Sequence, residues 1–553
     1  MKNLFLTLLV SLPILLSAQD IGGDYYVAVY GDDNNPGTYE LPFGTWQKAF
    51  DSAQAGDTVY FRGGTYYVGS GEKVTYDPRT GHGNSGTRNN WICFMNYPGE
   101  TPILDGTNTT NYEELFEAWH TSYVLFKGLV FQNKWQNKWN QIIRQAVFYE
   151  NGTIQIENCI SRNSGGYGFT INAWDTLYCY NNDSYEHYNL KSDDPGNKPD
   201  GFAIASGGET TDYGEMIGCR AWRCSDDGIE ASWATEMLVD GCWTFCNGFL
   251  SGGAGVGIKY GPGYIEHAEN RITQRCIAAW NKGPAYSFQN IHHQTNGPIG
   301  NFFNNLSYKC EIGFQSIIGD WDCAVGDTYL KFHNNINYNN TNKSLDQLNL
   351  VSCGGKKSEF WQGDHNTWVW KSDGYLYTYN NTIGWSHNQE DSQWALLPDS
   401  AATQAILSAP RKADGSLPDI GDAFKLSSTS DLIDKGVYVG IPYSGSAPDL
   451  GPFEYNPNIV FPTIKFTSYS PNPTHDLVYL TYQTESSFVS IKVINDGGNI
   501  VYNSDINTGE SKSSKNGDYK HVINMKHFQE GVYTIILSDG TYNSSCFVTK
   551  DNL

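Results

Sequence analysis

The sequence predicts an all-β protein, built as a parallel β-helix followed by a small β-sandwich. Three observations support this fold class. The chain is rich in Gly, Asn, Tyr and Thr, with no long helical periodicity. From about Ile154 a short strand with a Cys or Asn marker recurs. After residue 463 the pattern changes to alternating strands separated by Asn/Gly turns.

Composition limits the function classes. Length (553 residues) allows two or three domains, and 39% hydrophobic with 14% aromatic residues can form a substantial core. The formal net charge of −23 argues against a nucleic-acid partner, because phosphate binding requires a basic surface. It suits a soluble extracellular protein.

Residues 1–19 are predicted to be a secretory signal peptide, with a basic Lys2, an apolar run and a small-residue end at Ser17-Ala18-Gln19. The apolar run is too short to span a bilayer comfortably, and we predict no transmembrane helix. The expected location is outside the cell or at the cell surface.

The N-terminal part of residues 20–455 reads as a cap for one end of the helix. Trp46 to Ala53 is predicted to be a short amphipathic helix with Thr45 as its N-cap, and Thr58 to Phe61 a strand. This segment resembles the N-terminal cap of secreted right-handed parallel β-helices, where a helix covers an otherwise exposed sheet end.

The repeat then organises the chain. A coil of about 23 residues with insertions at one corner explains the marker spacing, and successive coils must stack to bury their apolar faces. Stacked Asn side chains would form hydrogen-bonded ladders. The twelve cysteines favour buried thiols over disulfides; if a bridge forms, Cys224 with Cys246 is the expected pair. The markers are Cys159, Asn182, Cys219, Cys242, Cys276, Asn305, Asn335 and Asn381.

The β-helix is predicted to end near Tyr455, because residues 432–455 resemble the closing segment of many secreted β-helix enzymes. Residues 456–462 form a linker. Residues 463–553 resemble the sorting domain of the type IX secretion system, which implies secretion machinery as a partner. A carbohydrate-binding sandwich is the alternative. The matching pieces are Pro471-Asn472-Pro473, Asp496-Gly497-Gly498, Gly531-Val532-Tyr533 and the last strand.

Four carboxylates form the candidate cation site: Asp200, Asp226, Asp227 and Glu230. Asp200 is predicted to lie one coil before the other three, so the stack brings them together about 4.8 Å apart. Converging carboxylates repel one another unless a cation lies between them, and calcium prefers such oxygen ligands. The alternative is a set of solvated turn aspartates.

Lys259 lies downstream in the glycine-rich GAGVGIKYGPG. A lysine beside a bound cation loses its proton more easily than a free lysine. The cluster and this lysine together suggest proton abstraction from a sugar acid. The alternative is an ordinary surface lysine.

The combination resembles the family-9 polysaccharide lyases, the calcium-dependent pectate lyases with a β-helix fold. Its pieces are Pro199-Asp200-Gly201-Phe202, Cys224-Ser225-Asp226-Asp227-Gly228-Ile229-Glu230 and Gly257-Ile258-Lys259. The resemblance implies Ca²⁺ held by the four carboxylates, and β-elimination of a uronate polymer with Lys259 as Brønsted base. One departure is Glu230, where the family has Asp.

Further residues are expected to contact the polymer. Arg271, Arg275 and Lys282 could form a basic strip, and three aromatic residues could line sugar subsites: Tyr260, Trp280 and Tyr286. Each could equally be a core or surface residue. We expect a monomer.

Two other functions remain open. A polygalacturonase-type hydrolase would use paired aspartates such as Asp226-Asp227, but its Gly-His-Gly is found here only at residues 81–83, far upstream. A non-catalytic β-helix adhesin needs no cation site beside a lysine.

Overall fold

The computed structural model describes residues 21–550 except for short segments: 111, 205–210, 233, 262–269, 291–298, 319–328, 342–348, 352–360, 368–390, 456–463, 471–473, 475–476, 485–487, 496–498, 508–517 and 539–542. The predicted signal peptide and linker, the Asn381 marker and two of the sorting-domain pieces (471–473 and 496–498) lie outside the described residues.

Three long parallel sheets form the β-helix, which confirms the predicted fold class. Each coil runs from sheet 1 to sheet 2 to sheet 3, and each strand pairs with its equivalent in the next coil. Sheet 1 contains Tyr25–Val27, Thr58–Phe61, Ile92–Asn96, Val124–Lys127, Ile154–Glu157, Thr176–Tyr180, Thr211–Ile217, Ala234–Asp240, Asn270–Gln274, Ile299–Phe303, Tyr329–His333 and Trp361–Asp364.

Sheet 2 has strands of three to five residues, and sheet 3 has strands of three to eight residues. Sheet 2 contains Gly64–Tyr67, Pro102–Asp105, Val130–Gln132, Ile160–Ser164, Asp183–His187, Arg220–Cys224, Trp243–Phe245, Ile277–Ala279, Leu306–Tyr308 and Ile336–Tyr338. Sheet 3 contains Val74–Tyr76, Glu114–Trp119, Arg144–Asn151, Tyr167–Ala173, Phe202–Ile204, Ile229–Ala231, Ile258–Tyr260, Tyr286–Asn290, Phe314–Ile318 and Asn349–Val351.

A short helix caps the N-terminal end of the stack. It spans Trp46–Ser52, and Thr45 is its N-cap, accepting a hydrogen bond from the Lys48 backbone N–H. Trp46 and Phe50 are buried and pack on the aromatic interior of the first coils, against Phe61 among others. The helix therefore covers apolar surface that the first coil would otherwise expose to water.

Buried Asn and Cys side chains run along the interior as ladders. Asn335 Oδ1 accepts the backbone N–H of Asn305 at 3.0 Å, and Asn366 Oδ1 accepts that of Asn335 at 3.1 Å. The residue that continues the ladder is thus Asn366. A second ladder, which was not predicted from the sequence, follows sheet 2 through Cys224, Asn247, Asn281, Cys310 and Asn340. All ten described cysteines are free thiols.

A closing segment (residues 391–455) covers the outer face of sheet 2. It contains a 3₁₀ turn, Asp391–Gln393, and the helix Ser400–Leu407. Another 3₁₀ turn, Pro78–Thr80, lies near the N-terminal cap. The apolar side chains of the closing segment, including Leu407 and Phe424, pack on outward residues of sheet 2 such as Trp243. The outer face of sheet 2 is therefore buried in a hydrophobic core between the β-helix and the closing segment.

Two antiparallel sheets form the C-terminal unit. One contains Ile464–Ser470, Leu477–Thr484 and Asp518–Asn524, and the other Ile500–Asn507, Phe488–Asn495, Gly531–Ser538 and Asn543–Lys550. Alternate residues of these strands, such as Val489, Ile491 and Val493, form a separate core. None of the described helices has the length and apolarity needed to cross a membrane.

Candidate active site

The candidate site lies where sheet 2 turns into sheet 3. Asp200 comes two residues before the strand Phe202–Ile204, and Asp227 two residues before Ile229–Ala231. Phe202 pairs with Ile229, so Asp200 and Asp227 occupy equivalent positions one coil apart. This stacking matches the arrangement expected from their spacing.

Glu230 and Lys259 project from the outer face of sheet 3. Ile229 and Ala231 belong to the core, so the alternation of a strand turns Glu230 outward. Lys259 lies in the next coil, where its backbone pairs with that of Glu230. Its strand neighbours Ile258 and Tyr260 belong to the core, so Lys259 also points outward. Successive coils thus bring carboxylates and one lysine to a single patch.

Three of the four carboxylates form a close set. Asp200, Asp227 and Glu230 each offer an oxygen atom, and these atoms lie within 4.8 Å of one another. Asp200 and Asp227 are 2% and 1% exposed, and the backbone N–H of Asp227 donates to Asp200 Oδ1 at 2.9 Å. A set of buried oxygen donors fits a hard cation such as calcium.

Asp226 has a different environment from the other three. Its two carboxylate oxygens accept backbone N–H groups, from Lys198 at 2.6 Å and from Ala254 at 2.7 Å. These donors belong to the corners before and after its own. Asp226 therefore ties three successive corners together beside the close set.

The pKa values of the three carboxylates are shifted by burial and by one another's charge. Burial raises the pKa of Asp200 well above its usual range, and Glu230 and Asp227 raise it further. Burial also raises the pKa of Asp227 to about 7, against the opposing effect of Lys259. For Glu230 burial is outweighed by Lys259 and by the Ser232 hydroxyl, so its pKa is lowered.

The Lys259 ammonium supplies positive charge to this set. Its Nζ lies 3.1 Å from Asp227 Oδ2 and 3.4 Å from Glu230 Oε1, and 20% of the side chain is exposed. Burial lowers the pKa of Lys259, but Asp227, Glu230 and Asp200 outweigh it, so the net pKa is raised. Among the protein groups alone, the ammonium form is favoured.

The glycine-rich turn before Lys259 supplies backbone donors. Ala254 N–H reaches Asp226, and Val256 N–H donates to Asp227 Oδ1 at 2.7 Å. Gly253 is required because a Cβ there would collide with the carbonyl oxygen of Ser225. The turn can therefore pack directly on the corner that carries the aspartates.

Lys282 fixes the same turn from the next coil. Its Nζ donates to the backbone carbonyls of Leu250, Ser251 and Gly253 at 3.1, 3.0 and 2.7 Å. The expectation that Lys282 contacts the polymer is not supported by this geometry, because its ammonium is occupied by the turn.

The expected sugar contacts of Tyr260, Tyr286 and Arg271 are wrong. Tyr260 and Tyr286 point into the β-helix and are 1% and 0% exposed. Arg271 is 1% exposed, and its guanidinium donates to the Ala234 carbonyl at 2.8 Å, inside the corner between sheets 3 and 1.

Arg275 and Trp280 lie away from the carboxylates. Arg275 pairs with Asp240 and lines a cavity of about 530 Å³ beneath the closing segment. Trp280 packs with the covered outer face of sheet 2, next to Tyr308. The predicted basic strip is therefore not formed.

Three residues near the site were missed from the sequence. The Ser232 hydroxyl donates to Glu230 Oε1. Tyr167 lies one coil before Asp200 at the equivalent position, because each precedes by two residues one member of the pair Phe169 and Phe202. Lys198 donates its N–H to Asp226. Strand alternation places Ser232 on the same face as Glu230, and this signal was available in the sequence.

Two parts of the chain match known protein families. Residues 25–345 match the family model described as Pel9A-like, right handed beta helix region, and residues 469–549 match the secretion system C-terminal sorting domain. The sorting domain makes the protein a secreted or cell-surface protein.

Individual relatives cover most of the β-helix. Pectate lyase L of Dickeya dadantii (strain 3937) is 26% identical over 454 residues, covering 78% of this chain and 90% of that protein. The crystal structure of pectate lyase Pel9A has a TM-score of 0.56 at 23% identity, covering 78% of this chain and 96% of that one. A rhamnogalacturonan lyase has a TM-score of 0.52 at 21% identity, covering 73% and 96%. By the match over residues 25–345, this chain belongs to the Pel9A-like right-handed β-helix family.

Proposed function

We propose that this polysaccharide lyase cleaves a uronate polymer by calcium-dependent β-elimination, with Lys259 as the base. Its relatives include pectate lyase L, so pectate and related uronate polymers are the first substrates to consider. The observation that carries the proposal is the position of Lys259 Nζ, 3.1 Å from a carboxylate of the three-residue oxygen set.

Asp200, Asp227 and Glu230 are the residues that would hold calcium. All three are carboxylates, their oxygens are close together, and burial strengthens their mutual repulsion. Glu230 stands where the family has Asp, and its longer side chain still reaches the other two. Asp226 adds negative charge beside them, and its direct bond to the ion remains a prediction. When bound, calcium supplies the positive charge that neutralises protein and substrate carboxylates.

Lys259 would remove the proton from C5 of the uronate residue. The electron pair of the C5–H bond forms the C4–C5 double bond, the C4–O bond breaks, and the leaving oxygen takes a proton from solvent. Lys259 must be neutral to accept the proton, and its outward position on sheet 3 lets a polymer on this face reach it. Asp226 and the turn around Gly253 hold the corners in place during this reaction.

The hydrolase alternative finds less support in this geometry. Such an enzyme would use Asp226 and Asp227 as its acid and base. Here both oxygens of Asp226 accept backbone N–H groups, and Asp227 is paired with Lys259.

The test combines substrate screening with metal removal. Polygalacturonate, rhamnogalacturonan and other uronate polymers are incubated with the protein and calcium, and ultraviolet absorbance of the unsaturated product is followed. We expect chelation to abolish product formation and calcium to restore it, because the carboxylate set otherwise repels the anionic substrate. Full turnover after exhaustive chelation, or products without a C4–C5 double bond, would contradict the proposal.

A further inference from the structure

A pocket of about 220 Å³ lies next to the carboxylate set, on the side toward the N-terminus of the β-helix. Lys198, Pro199 and Tyr167 line it, and Pro199 directly precedes Asp200. Pockets for drug-sized ligands usually measure about 300–1,000 Å³. This pocket is smaller, which suits one sugar residue of a longer chain.

Lys198 supplies the ammonium of a pocket that two carboxylates, Asp193 and Asp194, also line. Asp193 accepts hydrogen bonds from Trp139 Nε1 and Asn140 Nδ2, and Asp194 accepts one from Asn197 Nδ2, so both carboxylates already have partners within the loops. The Lys198 side chain is exposed and its ammonium makes no ion pair with any residue in the described part of the chain. Its backbone has φ +89°, a conformation that a lysine rarely adopts, and the Lys198 N–H donates to Asp226 Oδ2 at 2.6 Å. The site therefore holds a strained residue whose side chain remains available.

Tyr167 forms the wall nearest to the carboxylates. By register it precedes Asp200 in the stack, and Asp200 and Glu230 both act on its hydroxyl. Its hydroxyl can donate a hydrogen bond beside the carboxylates.

The other walls are fixed by their own hydrogen bonds. Asn140 Nδ2 donates to Asp193 Oδ2 at 2.7 Å, and Asn140 Oδ1 accepts the Asp193 N–H at 2.9 Å. Asn189 similarly joins Gly196 and Asn197. The Asn140–Asp193 bonds connect corners of different coils, and the Asn189 bonds fix the corner between Asp183–His187 and Phe202–Ile204 internally. The pocket is therefore preformed, and ligand binding need not order its loops.

We propose that this pocket is a subsite for a uronate residue adjacent to the one at Lys259. Lys198 pairs with the carboxylate of that sugar, and the Tyr167 hydroxyl donates a hydrogen bond to it. The proposal rests on the proposed function, because it takes the ligand from the polymer that the enzyme cleaves. Lys198 would thus provide the positive charge for the polymer that the sequence led us to expect from Arg271, Arg275 and Lys282.

The test compares Lys198→Gln with Lys138→Gln. Lys138 is also exposed and lies in a neighbouring loop but does not line the pocket, so the two variants change the net charge equally. Kinetics are measured on uronate oligomers of increasing length, prepared from the polymer that the wild-type protein cleaves. A charge-assisted contact predicts a fall in kcat/KM of about tenfold for Lys198→Gln, mainly through KM. The effect should be lost on oligomers too short to reach the pocket, and weaker at high salt.

Lys138→Gln should retain kcat/KM within about twofold, since a single exposed charge acts only weakly at a distance. Lys198→Arg should preserve most activity, and Tyr167→Phe should raise KM. Equal losses in the two glutamine variants, or no loss in Lys198→Gln, would overturn the subsite. If wild-type protein forms no unsaturated product from any uronate polymer, the proposed function itself fails. Thermal melting of each variant checks that the fold is kept.

Discussion

At the scale of single residues, the main feature of the site is repulsion between buried carboxylates, which a neighbouring ammonium group partly offsets. Asp200 and Asp227 are almost fully buried, and burial together with the neighbouring carboxylates raises the pKa of both. The ammonium of Lys259 offsets part of this repulsion, since it contacts both Asp227 and Glu230. The same lysine thus stabilises the carboxylates electrostatically and lies on the outer face of sheet 3, where the proposed substrate would bind.

Lys259→Arg separates these two roles. Arginine keeps the positive charge but stays protonated at any usable pH, so it can pair with Asp227 and cannot accept a proton. We expect turnover to fall by at least about 100-fold, the lower range for loss of a general base, while the fold is retained. Product formation is measured by absorbance and the fold by circular dichroism, with Lys259→Ala as the companion variant. Wild-type turnover in Lys259→Arg would exclude the lysine as base.

The residue scale also shows where sequence reasoning succeeded and failed. The carboxylates were predictable because acidic residues in turns one coil apart must become neighbours in a stack. The aromatic contacts were not, although strand alternation contained the answer: if Lys259 points outward, Tyr260 must point inward. Lys198 could not be recognised, because its position depends on a corner conformation that spacing does not specify. Tyr167 was accessible, because Tyr167-Gly168-Phe169 aligns with Asp200-Gly201-Phe202 in the next coil.

At the scale of elements, ladders align the coils. The side chain of a ladder Asn forms hydrogen bonds with backbone groups of the preceding coil. Asn335 Oδ1 accepts the Asn305 N–H, and Asn335 Nδ2 donates to the Phe302 carbonyl at 2.7 Å. The first ladder was visible in the sequence because its markers follow a strand at a fixed offset. The second was equally accessible, because its members follow those of the first at a constant offset of five residues, from Cys224 after Cys219 to Asn340 after Asn335.

Asn335→Leu tests the energetic role of the ladder. Leucine is of similar size but leaves the buried Asn305 N–H without its acceptor, which costs about 1–3 kcal/mol. We expect a lower denaturation midpoint at unchanged slope, measured by circular dichroism in urea. Cys276→Ala serves for comparison, because the thiol at that ladder position makes weak sulfur contacts, among them those with the Gln274 and Val239 carbonyls. A Cys276→Ala variant as destabilised as Asn335→Leu would argue that volume, and not the amide, matters.

At the scale of the whole molecule, the closing segment completes the β-helix. Asp183 in sheet 2 is buried between Arg220 and Arg411, each with a nitrogen 2.6 Å from a carboxylate oxygen. Arg411 belongs to the closing segment and also donates to the Gly218 carbonyl at 2.9 Å. The contact between Arg411 and Asp183 spans 228 residues of sequence, so it could not be inferred from a local pattern, whereas the repeat itself was predictable.

The same segment introduces a pH dependence through Glu454. Burial raises the pKa of Glu454 to about 8, and the neighbouring Asp449 adds to the shift. The folded state therefore holds a proton that the unfolded state, with a pKa near 4.5, releases. This contribution to stability is fully present below about pH 4.5 and is lost as the pH rises through about 8.

Glu454→Gln should accordingly flatten the stability profile at alkaline pH. Glutamine cannot ionise, so the fall in thermal midpoint between pH 6 and pH 9 should be smaller in this variant than in wild-type protein, whatever its midpoint at pH 6. Melting temperatures at half-unit pH intervals provide the measurement. Glu40→Gln is the matched control, because Glu40 is exposed and lies in the cap; its profile should run parallel to that of wild type. Parallel profiles for both variants would mean that the Glu454 carboxyl is already ionised in the folded protein, with its charge solvated by the backbone N–H groups of Ser444 and Asp449.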